Sequence, residues 1–217
     1  MRTFGFPDFL FILEAAKWTL ALSLIAFAGG SLGGLVVALG RTSDIAWLRR
    51  LSLGFIQLFQ GTPLLLQLFL IFFGAPVLGL DINPWIAAGV ALILNSAAFL
   101  GEIWRGCIQA IPRGQWEAAE ALGLHYGARM RDVILPQAMK IAVAPTVGYL
   151  VQIIKGTSLA AIIGFTEVTR AGQIINNATF QPLYVFTTVA AIYFAICWPL
   201  SLMAARMERR RARALAR

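Results

Sequence analysis

The chain alternates between long apolar stretches and short polar segments. A membrane helix needs about 20 apolar residues, because each residue rises about 1.5 Å and the hydrocarbon core is about 30 Å thick. Four stretches meet this requirement: Trp18–Gly40, Leu51–Phe73, Trp85–Leu100 with some extension, and Leu183–Ala205. A fifth stretch, roughly Ala138–Gly164, is apolar but contains Gln152 and Lys155. The pattern predicts an all-α membrane protein with five transmembrane helices.

The basic residues are distributed unevenly among the segments that connect these stretches. Counted in chain order, Ala138–Gly164 is the fourth stretch and Leu183–Ala205 the fifth. Most of the 18 Lys and Arg residues lie between the first and second stretches, between the third and fourth, or after the fifth. The opposite segments hold Arg2, Lys17 and Arg170. Since Lys and Arg accumulate in cytoplasmic loops, we expect the N-terminus outside and the C-terminus inside. An odd number of spans agrees with this orientation.

Composition indicates lipid as the surrounding medium. Hydrophobic residues make up 59% of the chain and charged residues 13%, whereas a soluble domain carries about 25% charged residues. The net charge of +8 could indicate either nucleic acid or anionic lipid. Because the charges connect or follow membrane helices, we interpret them as anchors that contact lipid headgroups, and we expect no nucleic-acid partner. No linker or repeat divides residues 1–217, so we expect a single transmembrane domain.

The longest cytoplasmic segment carries the most informative pattern, over about residues 113–136. Gln115–Leu122 consists of strong helix formers and predicts a short amphipathic helix. Gly123 can end this helix in a left-handed conformation, and Pro136 suits the first turn of the next span. The segment therefore predicts a helix–turn–helix on the inner membrane face. Its exposed side is expected to present Glu117, Glu120, His125, Arg129, Arg131 and Asp132.

This segment resembles the EAA loop of ABC-importer permeases. The matching residues are Glu117-Ala118-Ala119, Gly123 and, after a further nine residues, Val133 followed by Leu135-Pro136. Three other segments resemble permeases for polar amino acids: Gln60-Gly61-Thr62-Pro63-Leu64-Leu65, Glu102-Ile103-Trp104-Arg105-Gly106 and Thr157-Ser158-Leu159. Gln60 stands where that family commonly has Arg, and Gly156 where it commonly has Asp, so the solute is left open.

The resemblance implies a type I importer (MetI-like) permease fold with a cytoplasmic coupling helix. In that family the helix sits in a cleft of the ATPase subunit, which implies docking through Glu117, Ala118, Ala119 and Gly123, with Leu135 and Pro136 closing the loop. An ordinary interfacial amphipathic helix is the alternative interpretation. The resemblance further implies a pair of ATPase subunits, a second permease subunit (identical or paralogous) and an extracytoplasmic solute-binding protein.

No motif for ATP binding or hydrolysis occurs in the chain. The phosphate-binding pattern G-x-x-x-x-G-K-[ST] is absent, and Gly29-Gly30-Ser31-Leu32-Gly33-Gly34 has no following Lys. These glycines are better explained as small residues that let helices approach closely. With a single histidine, no metal or hydrolytic site is predicted. We expect a non-catalytic transport subunit without its own cofactor, with Mg-ATP bound by the partner ATPase.

Polar side chains within the spans suggest a path for solute. Such groups are costly in lipid and usually face a bundle interior or a water-filled cavity. Gln57, Gln60 and Gln67 are spaced i, i+3 and i+10, which puts them on one helical stripe. Gly61 and Pro63 lie within that stripe and favour a local bend. The residues hypothesised to line the path are Gln60, Thr62, Asn95, Ser96, Gln152, Thr157 and Ser158. Hydrogen bonding between helices is the alternative role for each.

Two charged residues near the spans have more ordinary interpretations. Glu102 is expected to pair with Arg105 at i+3. Lys155 reaches the outer face if its helix starts right after Pro136, and lies in mid-membrane if the helix starts later.

The sequence thus predicts the permease subunit of an ABC importer for polar amino acids or related small solutes, in the cytoplasmic (inner) membrane of a bacterium. A stand-alone secondary transporter or channel is the main alternative. That class would show an inverted repeat or paired intramembrane acids, and neither is evident. A membrane-embedded enzyme would need a cluster of His, Asp or Glu that the chain does not suggest.

Overall fold

The structure is a computed structural model that describes residues 2–215, with side chains up to residue 210. Every regular element among the described residues is helical. In chain order the helices are α1 (Phe6–Thr42), α2 (Ala46–Gly61), α3 (Leu64–Val77), α4 (Pro84–Gln109), α5 (Arg113–Ala121), α6 (Tyr126–Ile163), α7 (Val168–Thr179) and α8 (Pro182–Leu215). Within α6, the turns Arg129–Ile134 are π-helical and Thr157–Ile163 form a 3₁₀ helix.

Helices α1 and α4 pack against each other through small residues. A Cβ atom on Gly30 would lie 2.4 Å from the Cβ of Ser96, and one on Gly34 would lie 2.9 Å from the Cβ of Leu100. Only glycine permits such an approach, which confirms the packing role predicted for the glycine-rich segment. Residue numbers increase together along the two helices, so α1 and α4 run parallel.

The parallel arrangement of α1 and α4 determines how α2 and α3 cross the membrane. If two helices cross the membrane in the same direction, the chain between them must cross it an odd number of times. The helices α2 and α3 together make one such crossing. Four helices are long and apolar enough to span alone, and the α2–α3 pair makes a fifth span bent by 99°. Five spans therefore agree with the prediction, although Leu51–Phe73 is not the single helix that was expected.

The break between α2 and α3 has a local cause in Gly61-Thr62-Pro63. Proline lacks a backbone N–H and disfavours helical geometry in the residue before it. Thr62 is accordingly extended, with φ −117° and ψ 139°, and α3 begins directly after Pro63. The bend that the sequence suggested is confirmed, and it is sharp enough to separate two helices.

Several helices extend beyond the predicted apolar stretches. Helix α1 begins at Phe6 rather than Trp18 because Pro7 suits a first turn and Asp8 accepts a hydrogen bond from the Gly5 N–H at 3.0 Å. Its polar turn is stabilised on the surface by an ion pair of Lys17 with Glu14 at 2.5 Å. Helices α4 and α8 likewise continue past their apolar cores into the cytoplasmic side.

Helix α7 was not predicted, because it is short and amphipathic rather than continuously apolar. The fully buried carboxylate of Glu167 begins it, accepting hydrogen bonds from the backbone N–H groups of Thr169 and Arg170, both at 2.9 Å. The hydroxyl of Tyr193 on α8 donates to the same carboxylate at 2.6 Å. Burial raises the pKa of Glu167 above its ordinary value, and the hydrogen bonds, which favour the charged form, offset only part of this rise. Glu167 thus ties α7 to α8.

Candidate functional site

The cytoplasmic elbow consists of α5, the turn after it and the first turns of α6. Helix α5 ends at Ala121, and Gly123 follows in the left-handed region with φ +73°. The Gly123 N–H donates to the Glu120 carbonyl at 2.8 Å, and the Leu124 N–H donates to the Ala119 carbonyl at 3.2 Å. These bonds satisfy carbonyls that the end of a helix leaves free. The predicted helix, its glycine cap and the second helix are all confirmed.

The two sides of the elbow differ in exposure. Ala119 is 2% exposed and packs inward. Glu117, Ala118 and Gly123 face outward, together with Leu122, whose side chain is 79% exposed. The chain itself thus covers one of the four residues for which docking was implied, and it leaves an outward surface of small, acidic and apolar groups.

Of two expectations about the second arm of the elbow, one is wrong and one is confirmed. Arg129 was expected on the exposed side, but its side chain is only 15% exposed and turns toward α5. Pro136 lies in the first turn of the regular α-helix that starts at Leu135, as expected. Leu135 and Pro136 mark the point where the π-helical turns give way to regular α-helix. A proline ring clashes with the carbonyl four residues earlier, and the wider π turn relieves that clash.

A cluster of amides lies where α2 breaks from α3. The Nε2 of Gln67 lies within hydrogen-bond distance of three oxygens, which share its two hydrogens: the carbonyl of Phe59 at 2.8 Å, the carbonyl of Thr62 at 3.0 Å and the Thr62 hydroxyl at 2.9 Å. The Nδ2 of Asn95 on α4 donates to Gln67 Oε1 at 3.1 Å, and Tyr149 on α6 donates to Asn95 Oδ1 at 3.4 Å. Gln67 therefore satisfies carbonyls that the end of α2 leaves open.

The amide cluster (Thr62, Gln67, Asn95 and Tyr149) joins two of the hypothesised path residues, Thr62 and Asn95. Gln67 and Asn95 are buried, at 5% and 8% exposure. The predicted stripe of Gln57, Gln60 and Gln67 is wrong, because these residues lie on two helices that meet at a 99° bend rather than on one continuous helix. Gln67 was not among the path candidates, although its intramembrane amide was the signal that could have identified it.

The remaining path candidates lie in different local environments. Ser96 is buried against Gly30, and the Thr157 hydroxyl donates within its own helix, to the Ile154 carbonyl at 2.7 Å. Ser158 does the same with the Lys155 carbonyl at 2.7 Å. Gln60 donates to the Ala98 carbonyl at 3.3 Å and is otherwise exposed. Gln152 is exposed on the surface of the chain. Their role in a solute path remains a prediction.

The two charged residues near the spans now have definite positions. Arg105 binds Glu102 through two hydrogen bonds, at 2.8 Å from Nε and 2.5 Å from Nη2, which confirms the expected pair. Lys155 is exposed beside Tyr193 and Trp198 of α8. Both neighbours lie well inside the apolar stretch Leu183–Ala205, so Lys155 lies within the span rather than at its outer end.

Comparison with known proteins adds to this geometry. Residues 30–213 match the family described as "Binding-protein-dependent transport system inner membrane component". The chain belongs to this family. The permease is 38% identical over 207 residues to the glutamine transport system permease protein GlnP of Escherichia coli (strain K12), covering 94% of each chain. It is 36% identical to the arginine transport system permease protein ArtQ of Bacillus subtilis (strain 168), again covering 94% of each.

Solved structures agree with the fold of the permease. An amino acid ABC transporter crystallised with histidines matches with a TM-score of 0.87 and 34% identity, over 96% of this permease and 100% of that chain. The methionine ABC transporter MetNI, in an inward-facing conformation, matches with a TM-score of 0.79 at 21% identity, over 95% and 98%. The predicted type I (MetI-like) permease fold is therefore correct.

The family membership also decides between the classes of function. The permease is an inner-membrane transport component and a subunit of an ABC importer. The alternative of a stand-alone secondary transporter or channel gains no support from these relatives.

Proposed function

We propose that this permease carries polar amino acids or related small solutes into a bacterial cell, driven by a separate pair of ATPase subunits. Relatives that transport glutamine and arginine, at 38% and 36% identity, support the solute class. The outward side of the elbow, with Glu117, Ala118, Leu122 and Gly123, supports docking of an ATPase. We further propose that Mg-ATP binds to those subunits, that a second permease completes the pore, and that a solute-binding protein delivers solute from outside.

The observation that carries the ATPase proposal is the glycine turn of the elbow. Gly123 adopts φ +73°, and a side chain added there would meet open space rather than the permease itself. Such an exposed, sharply bent turn leaves room for another protein to approach the backbone closely. The proposal predicts that bulk at Gly123 blocks an ATPase that the permease otherwise binds.

The test is co-purification of the full transporter with Gly123→Val and with Gly79→Val as the matched control. Gly79 also has a positive φ (+75°) and open space around it, but it lies between α3 and α4 on the opposite side of the membrane. Both substitutions impose similar backbone strain. We expect the ATPase to be lost from Gly123→Val and retained by Gly79→Val. Retention in both variants, or co-purification of no ATPase with the wild type, contradicts the proposal.

The solute class is tested separately by uptake into proteoliposomes that contain the whole transporter and its binding protein. We expect ATP-dependent uptake of at least one polar amino acid from a panel of acidic, basic, amide and hydroxyl side chains. Uptake restricted to sugars or inorganic ions would overturn the proposed class and leave the coupling proposal untouched.

A further inference from the structure

A single arginine connects the two arms of the cytoplasmic elbow. The guanidinium of Arg129, on α6, lies 5.8 Å from the ring centre of Trp116 on α5 and 5.9 Å from that of Tyr126 on its own arm. Its Nη1 donates to the Glu120 carboxylate on α5 at 3.2 Å. A cation held over aromatic faces and paired with a carboxylate is attracted to both. We name the set Trp116, Glu120, Tyr126 and Arg129 the elbow clamp.

The clamp contrasts with the other arginine on the same turns of α6. The Arg131 side chain is 88% exposed and approaches only its neighbour Asp132, at 3.7 Å. An exposed pair of that kind contributes little to stability. Arg129 is instead only 15% exposed, so its interactions are less screened by solvent. Of the two arginines on the first turns of α6, only Arg129 thus holds the arms of the elbow together.

The clamp is attached to the membrane helices at its base. The Tyr126 hydroxyl donates to the carbonyl of Thr42, the last residue of α1, at 3.1 Å. Gln137 on α6 donates to the Gln115 side chain on α5 at 3.1 Å. A displacement of α5 can therefore reach both α1 and α6, provided that the angle between the two arms does not change.

Without the clamp, the angle between α5 and α6 could change at two places. The turn between the arms contains Gly123, which contributes no side chain and tolerates a wide range of backbone angles. The first turns of α6, Arg129–Ile134, are π-helical, a geometry that is less regular than the α-helix and is common at functional sites. With a flexible turn and a π-helical segment, the elbow would bend when a docked protein moves α5, unless side chains hold the two arms together.

We propose that Arg129 is a positioning residue for energy coupling. It holds α5 at a fixed angle to α6, so that movement of a docked ATPase passes into α1 and α6 rather than being lost as bending of the elbow. This inference rests on the proposed function, because it requires an ATPase to dock on α5.

The test measures ATP hydrolysed per solute taken up by the complete reconstituted transporter. Arg129→Gln removes the charge and retains most of the volume. We expect this ratio to rise roughly tenfold, which corresponds to about 1.4 kcal/mol of lost coupling. Arg129→Lys keeps a cation but not the planar guanidinium, and should lie between Arg129→Gln and the wild type. Arg50→Gln, which removes an exposed charge on α2, is the control and should match the wild type.

A purely structural role for Arg129 would lower uptake and ATP hydrolysis in the same proportion, and an unchanged ratio therefore overturns the proposal. Should Arg129→Gln not assemble, Glu120→Gln decides, because Glu120 is 75% exposed and its loss removes the ion pair without a change in packing. A wild-type ratio in Glu120→Gln then refutes the clamp. Failure of the wild type itself to couple hydrolysis to uptake would refute the proposed function instead.

Discussion

At the scale of single residues, chemically similar side chains in apolar surroundings have different roles. Asn95 and Gln152 are both amides within predicted spans, and the sequence suggested the same role for both. The structure buries Asn95 against Gln67 and Tyr149 and leaves Gln152 on the surface of the chain. The difference follows from which side of each helix faces a neighbouring helix.

We predict that Asn95→Leu destabilises the permease and that Gln152→Leu does not. Without Asn95, the buried Oε1 of Gln67 loses its donor, and an unsatisfied buried polar group costs about 1–3 kcal/mol. A surface substitution usually changes stability by less than about 0.5 kcal/mol. Thermal unfolding of the detergent-solubilised protein measures both. Equal melting of Asn95→Leu and the wild type would show that the amide cluster does not stabilise the break.

Uptake by the same two variants tests whether Asn95 and Gln152 line the solute path. If Asn95 or Gln152 contacts solute, uptake by the corresponding variant changes beyond what its stability explains. Unchanged uptake kinetics in both variants would remove these residues from the path and leave only their structural roles.

At the scale of elements, the contact between α1 and α4 depends on residues without side chains. The helices approach so closely that a methyl group at Gly30 would lie 2.4 Å from the Ser96 Cβ and 3.3 Å from the Ser96 carbonyl carbon. Neither obstacle is the flexible end of a side chain, so a helix must move. Membrane helices associate largely by such packing, because lipid supplies no hydrophobic force between them.

We predict that Gly30→Ala destabilises the pair and that Gly89→Ala has little effect. Overpacking of a close contact costs about 1–3 kcal/mol. Gly89 is a buried glycine of α4 with nothing within 4 Å of an added Cβ, and Ala favours helix over Gly. The experiment compares the thermal melting of the two variants with that of the wild type. A Gly30→Ala protein as stable as Gly89→Ala would contradict the close packing of α1 against α4.

At the scale of the whole molecule, orientation follows from charge and an odd number of crossings. The elbow between α4 and α6 must lie on the side opposite the α3–α4 connection, because α4 separates them. The basic residues favour the cytoplasm for the elbow. One exposed leucine lies on each side of the membrane: Leu78 in the α3–α4 connection and Leu122 in the elbow, each 79% exposed.

We predict that, in intact cells that make the permease without an ATPase partner, Leu78→Cys reacts with a membrane-impermeant thiol reagent, and that Leu122→Cys reacts only after the membrane is opened. The wild type provides the background, since both of its cysteines, Cys107 and Cys197, are buried. Labelling of Leu122→Cys from outside would reverse the orientation, and the coupling proposal would fail with it.

Much of this architecture could be predicted from the sequence, because it depends on local patterns. Apolar stretches of sufficient length predict spans, basic segments predict orientation, and Gly123 predicts the end of a helix. The bend at Gly61-Thr62-Pro63 could also be foreseen, though not its angle. The resemblance of the elbow to the EAA loop pointed to the family that the comparisons show.

Other features depended on how distant parts of the chain meet. The pairing of Asn95 with Gln67, the inward turn of Arg129, the burial of Glu167 and the packing of Ala119 could not be deduced from periodicity. Each depends on the face that one helix presents to another far away in sequence. Sequence alone determined which segments enter the membrane, because transfer into lipid depends on composition. Only the tertiary structure decided which polar groups satisfy one another, because a hydrogen bond requires a specific partner at a specific distance and direction.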